Sequence, residues 1–379
     1  MHASNHPAPT LLLRRGAAWG CLLVTLGTAP ALEARDFPYP PGSTPHFRHL
    51  SSDDGLVASN VFAVAQDPAG YMWIGTDSGM QRYDGYRFVT YNHDPRDPKS
   101  LAENVVTSLA FAPDGSLWAG TQDAGLDRLA PGASSFIHYQ HDPEKADAIG
   151  NDQIYALLFD RQGRLWIATD QGLDRMDKPG ADFHHYTTRS TQPNGERILS
   201  LYEDTDGRLW VGADHGVFYY DVAKDVLLPF KLTGGTDASR AVLGGAPVNA
   251  FCRSQDGRLW IGTEHGLAVL AKDGATQAFY TAHPGDPDAL QSDHVRGVME
   301  AAAGGMWLIT LHGGLSRLDD SGRFTSYRHD PTDPESLAED DLRTLYRDRT
   351  GLLWIGSYTG GLDIYNPRTR AFGYYRARP

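Results

Sequence analysis

Three histidines fall at the same point of a recurring phrase: His215 in ADHG, His265 in TEHG and His312 in TLHGG. Asp214 and Glu264 stand directly before the first two. A carboxylate beside an imidazole can relay a proton or ligate a metal. The same residue types also suit any solvated loop. Metal–ligand bonds are only about 2 Å long, and equivalent loops of successive repeats stand too far apart to share one ion, so no metal site is assigned. A second set lies upstream of these loops. Aligned across the chain, one position holds Phe62, Thr107, Tyr155, Leu199, Asn249, Arg296 and Arg343. The two arginines are neighbours in this series. A guanidinium offers a planar two-pronged donor for a carboxylate or a sulfated sugar, and an unpaired buried charge is costly. Arg296 and Arg343 therefore either face a wet channel or pair with Asp341 or Glu339. Tyr155 and Tyr358 can stack on a sugar or an aromatic ligand, although packing is the commoner use of tyrosine. The candidate ligand-binding residues are Tyr155, Asp214, Asn249, Glu264, His265, Arg296, His312, Arg343 and Tyr358. No nucleophile elbow or HExxH is present, so no catalytic residue is assigned. The two cysteines, Cys21 and Cys252, form no CxxC and no zinc spacing. No cofactor is expected.

These residues need a scaffold that brings distant repeats to one place. Seven of the eight tryptophans supply it: Trp73, Trp118, Trp166, Trp210, Trp260, Trp307 and Trp354 recur every 44 to 50 residues. An acidic turn precedes most of them, as at Asp114-Gly115 and Asp206-Gly207. A glycine opens the next short segment in each repeat: Gly79, Gly125, Gly172, Gly216, Gly266, Gly314 and Gly361. An aromatic segment follows in most, as in Phe88–Tyr91 and Phe136–Tyr139. Each repeat thus offers four short strands divided by turns. The fold class expected is all-β, a seven-bladed β-propeller of four-stranded blades. A helical solenoid of the same period fails on the β-branched and aromatic content. The tryptophans are expected to pack between blades and the glycines to supply turns.

Composition agrees. With 379 residues, 41% hydrophobic and 21% charged, the chain can bury a sizeable core. A net charge of −13 argues against nucleic-acid binding through bulk electrostatics. The N-terminus carries Arg14-Arg15, an apolar run from Gly16 to Thr28, and small residues at Ala29, Ala31 and Ala34. That order predicts a secretory signal peptide over 1–34, with the propeller over 35–379 and a periplasmic destination. An uncleaved anchor is the alternative, for which the apolar run is short.

The repeats resemble the two-component regulator propeller family. The matching residues are the Leu-Trp-Ile-Gly-Thr and Gly-Leu motifs and a His-Asp-Pro loop, seen as His93–Leu101 and His329–Leu337. The resemblance implies an extracytoplasmic sensor that binds a ligand, a small molecule or glycan, and controls a signalling output. Such sensors usually carry a second propeller, a β-sandwich, a membrane helix and a histidine-kinase or diguanylate-cyclase output domain. This chain ends at Pro379 without them, so two expectations stand: a free-standing propeller working with a separate inner-membrane histidine kinase or diguanylate cyclase, or a truncated sensor. Two other functions compete: a lyase-like enzyme working through His215, Glu264, His265 and His312, and a protein-binding scaffold. The long His-Asp-Pro loops and the loops after the tryptophan strands are both expected at the funnel mouth, the default ligand site. Phe47–Leu50 and Phe372–Tyr375 both look like outer strands, and Phe47–Leu50 is the expected closing strand.

Overall fold

A computed structural model of the chain describes residues 45–188, 196–232, 235–283, 285–302 and 304–367. The expected signal peptide and the Phe372–Tyr375 segment lie outside them. The described residues form seven antiparallel sheets of four strands each. The innermost strands are Val61–Gln66, Val106–Phe111, Ile154–Phe159, Ile198–Glu203, Val248–Arg253, Val295–Glu300 and Leu342–Arg347. Each packs against the innermost strand of the next blade, and the last packs against the first, so the ring is closed. The chain is a seven-bladed β-propeller.

The tryptophans do what their spacing predicts. Each sits on the second strand of its blade and joins the hydrophobic core of the next. Trp73 packs with Val106, Leu117 and Leu129 of blade two. Trp354 of blade seven packs with Val61, Met72 and Ile74 of blade one. There is one such core at each of the seven blade junctions. Five indole N–H groups donate to a side chain six residues earlier. Trp73, Trp166, Trp210 and Trp354 reach Asp67, Asp160, Asp204 and Asp348 at 2.8–3.0 Å. Trp260 reaches Ser254 at 3.0 Å. Blades two and six hold Ala112 and Ala301 at that position, and there the indole nitrogens of Trp118 and Trp307 are buried without a partner. The aspartates also accept the amides of their own turn, as Asp160 does from Gln162 and Arg164. One carboxylate thus shapes the hairpin and anchors the inter-blade tryptophan.

Blade seven is completed from the beginning of the chain. Phe47–Leu50 pairs antiparallel with Leu362–Tyr365, in register from Phe47↔Tyr365 to Leu50↔Leu362. This is the expected closing strand. Blade four departs from the repeat: the helix Asp237–Gly245 replaces the His-Asp-Pro loop before the next inner strand. The sequence reading did not foresee it.

The His-Asp-Pro loops correct one expectation. Outer strands begin at the end of the propeller opposite the funnel mouth, and the loop tips reach that end. The carbonyls of Lys99, Asp147, Asp288 and Glu335 accept the amides of Phe136, Phe183, Phe324 and Phe47. Each donor is the first residue of an outer strand, so the tips cover an otherwise free sheet edge. A clasp holds three of them. Asp127, Asp174 and Asp363 bond His138, His185 and His49 on the outer strands. The second ring nitrogens of these histidines meet the carbonyls of Pro98, Ala146 and Pro334 in the loops. The loop tips brace the outer wall, while the loop bases stay against the mouth turns, where Arg328 donates to the His312 carbonyl at 3.1 Å.

Candidate functional site at the funnel mouth

Every inner strand carries the same irregularity. Its pairing with the second strand shifts between the first and third residues: Val61/Ala63, Val106/Ser108, Ile154/Ala156, Ile198/Ser200, Val248/Ala250, Val295/Gly297 and Leu342/Thr344. The residue skipped is the one aligned above, from Phe62 to Arg343. A bulge releases its side chain from the ladder and re-aims it. Here the bulged side chains turn toward the next blade. Thr107 donates to the Ile154 carbonyl, and Asn249 to the Val295 carbonyl at 3.2 Å. Arg343 donates to Asn60 Oδ1 at 2.7 Å.

Two further sets of residues stand beside the bulges. One set lies just before the inner strand, the other at the start of the turn after the tryptophan strand. Backbone bonds tie them together: the amides of Asp170, Asp214, Glu264, Leu311 and Tyr358 reach the carbonyls of Gln153, Arg197, Pro247, His294 and Asp341. The glycines that follow hold these turns. Gly172 has φ 129, and an added Cβ would lie 2.8 Å from the Tyr186 carbonyl oxygen.

The nine candidate residues divide. Tyr155 and Asp214 belong to a polar group at blades three and four. Tyr155 donates to Asp170 at 3.1 Å, and Arg197 lies over its ring at 5.6 Å while gripping Asp214 with two nitrogens at 2.9 Å. The Asp214 bond raises the Arg197 pKa above the usual guanidinium value. Asn249 ties blade five to blade six through its bond to the backbone. The other six gather at blades five to seven.

Arg343 sits between two aromatic faces, 3.8 Å from the Phe62 ring centroid and 4.1 Å from that of Tyr358. Arg296 approaches the same Tyr358 ring at 5.3 Å. Neither arginine has a carboxylate within salt-bridge distance among the described residues. The pairing expected with Asp341 or Glu339 is not made. Asp341 holds His312, accepting its amide at 2.7 Å. Glu339 accepts the amides of Thr359 and Gly360 at 2.6 and 3.1 Å. Burial lowers the Arg343 pKa below the usual guanidinium value, opposed by Tyr358 and deepened by the like charge of Arg296. The Arg296 Nε is buried without a hydrogen-bond partner.

His294, one residue before its inner strand, was missed in the sequence reading. Its Nε2 stands 3.2 Å from Glu264. Burial lowers its pKa below 6.5, and Arg296, His312 and His265 add to this while Glu264 opposes. Aligning the residue before each inner strand, as was done for the bulge, would have found both His294 and Asn60. His265 and His312 lie on the exposed rim; His312 holds φ 64, uncommon for a residue with a side chain. No group of three or more His, Cys, Asp or Glu among the described residues is placed to hold a metal ion. The mouth can thus offer a ligand two cations without carboxylate partners, one of them held between aromatic rings, and a half-buried histidine.

Comparison with known proteins agrees with this architecture. The family model described as "Two component regulator propeller" matches residues 55–78, 100–123, 148–171, 192–215 and 243–265. A 56-residue stretch is 36% identical to Histidine kinase P4 of Formosa agariphila, covering 15% of this chain and 4% of that protein. Among solved structures, the extracellular domain of a hybrid two component system from B. thetaiotaomicron superposes with a TM-score of 0.71 at 23% identity, over 86% of this chain and 42% of that one. Virginiamycin B lyase from Staphylococcus aureus superposes with a TM-score of 0.63 at 14% identity, over 85% of this chain and 99% of that one. At these identities both structures speak to fold alone. The chain spans less than half the length of the B. thetaiotaomicron domain and a small fraction of the kinase.

Proposed function

We propose that this chain, five segments of which match the two component regulator propeller model, is the ligand-binding input of an extracytoplasmic signalling system. Its working compartment in this reading is the periplasm. The ligand sits in the funnel mouth over blades six, seven and one. The observation that carries the reading is the Arg296–Tyr358–Arg343 group. Two half-buried guanidiniums without carboxylate partners are costly to keep for packing alone, and a bound ligand recovers that cost. Elsewhere at the mouth charged groups are paired, as in Arg197–Asp214 and His312–Asp341. A membrane histidine kinase or diguanylate cyclase is the output partner in this reading.

The test is a melting-curve screen of the purified protein against a broad panel of small metabolites and glycans. A ligand binding only the folded state raises its stability by about 2.7 kcal/mol at a hundredfold excess over Kd. The expected result is a panel member that raises Tm in the wild type and does so less in Tyr358→Ala. A panel without any Tm shift overturns the reading. So does turnover of a panel member that is abolished by His265→Ala and His312→Ala, which would point to an enzyme.

A further inference from the structure

Resting on that reading, we infer that the Arg296–Tyr358–Arg343 cluster takes the planar carboxylate of a small organic anion. The charges around the mouth support this sign. Arg197, another arginine at the mouth, is paired with Asp214. Arg296 and Arg343 are left without a carboxylate within pairing distance among the described residues, and Asp77 acts on Arg343 from farther away. In a chain of net charge −13, this pair of unpaired cations is set by position, since the bulk field repels anions. An anion entering here is bound by the site and not by the surface.

The shape favours a planar group. Phe62 and Tyr358 hold the Arg343 guanidinium at 3.8 and 4.1 Å from their centroids, which fixes its plane. Asn60 accepts from Nη1 at 2.7 Å, which pins one side of the guanidinium. A carboxylate lying in the guanidinium plane accepts from it bidentately. A tetrahedral anion cannot match both prongs of a guanidinium held in that plane as well as a planar carboxylate can. Arg296, within 5.3 Å of the shared Tyr358 ring, is placed for the second oxygen or a second carboxylate.

Calorimetric titration of the purified chain with sodium malonate tests this, with malonamide, sodium sulfate and sodium chloride at matched ionic strength as comparisons. Malonate is expected to bind at millimolar concentration, more tightly than sulfate, with malonamide and chloride showing no heat of binding. Arg343→Gln and Arg296→Gln are each expected to weaken malonate roughly tenfold or more, the loss of one charge-assisted hydrogen bond. Arg343→Lys, which keeps charge but not the fork, is expected to fall between them. The melting temperature of each variant in chloride alone verifies that it is folded. Absent malonate binding, equal affinity for sulfate, or unchanged affinity in folded variants would each overturn the inference. A neutral panel ligand whose Tm shift depends on Tyr358, found while malonate does nothing, overturns the carboxylate assignment and leaves the sensor reading standing.

Discussion

At the scale of the residue, the most informative comparison is internal, because the chain repeats one experiment seven times. Five blades give the tryptophan N–H a side-chain acceptor, and two, with Ala112 and Ala301, do not. A buried donor left without a partner costs about 1–3 kcal/mol. Asp160→Ala, which orphans Trp166 and loosens its turn, is therefore expected to destabilise by about 1–3 kcal/mol in urea unfolding. The reverse change is also open. Ala112→Ser places in blade two the hydroxyl that Ser254 uses in blade five. It is expected to stabilise by about 0.5–1.5 kcal/mol, with no change in m-value. If both substitutions leave the midpoint where it is, the indole bond is not what selects the residue six positions earlier.

At the scale of the element, the loop clasps set a pH dependence. The bond to Asp174 raises the His185 pKa above 6.5 in the folded chain, and burial acts against it. A histidine raised on folding lends stability that is fully present below its unfolded pKa and is lost as pH rises through the folded value. Wild-type Tm should therefore fall relative to His185→Gln as pH climbs from 6 toward 8, values that bracket the ordinary imidazole pKa of about 6.5. A constant Tm difference across that window would refute the charged clasp. The clasps also show where sequence reasoning stops. The His-Asp-Pro motif was visible, but its direction was not. That direction depends on pairing Lys99 with Phe136 and His138 with Pro98, contacts that bridge two repeats. Features local to one repeat were legible: the tryptophan, the glycine after it, the strand boundaries, and the aligned position that proved to be a bulge. Gly172→Ala tests the most local of these. With φ 129 and a carbonyl 2.8 Å from the new methyl, it is expected to cost more than about 1 kcal/mol in stability. His294 and Asn60 were legible in principle and overlooked, because attention rested on the bulge position and the histidine loops. The helix Asp237–Gly245 left no repeat signal to read, since it occurs once.

At the scale of the molecule, the ring is held by like junctions, and the junctions at blade seven depend on a borrowed strand. Phe47 is 5% exposed and belongs to the core shared by blades six and seven, with its ring 5.5 Å from that of Tyr365. Truncating a buried phenylalanine costs about 3–5 kcal/mol. Phe47→Ala is expected to lose that much in urea unfolding, as much as a core residue from the middle of any blade. A loss below about 1 kcal/mol would mean that the first strand is an ornament on a ring that closes without it. The fold as a whole was readable from period alone, since four short strands per repeat and seven repeats leave few other arrangements. The mouth was readable only in part. It is assembled from three aligned positions per blade, and which of these side chains meet is settled by neighbours that lie one repeat away.

The borrowed strand also imposes an order in time. A ribosome delivers Phe47–Leu50 early and its partner Leu362–Tyr365 last, and the His49–Asp363 bond that joins them spans 314 residues of sequence. Six blades can fold from contiguous chain as they emerge. The seventh waits, and until it forms, the inner strand of blade one and the open end of the ring lack their neighbours. Contacts this distant in sequence form slowly. For as long as they are missing, the half-made ring exposes strand edges that invite pairing with other chains. The clasp that gives the finished propeller no beginning and no end thus makes its folding sensitive to the strands of blade seven, whose arrival decides whether the preceding blades close into one ring.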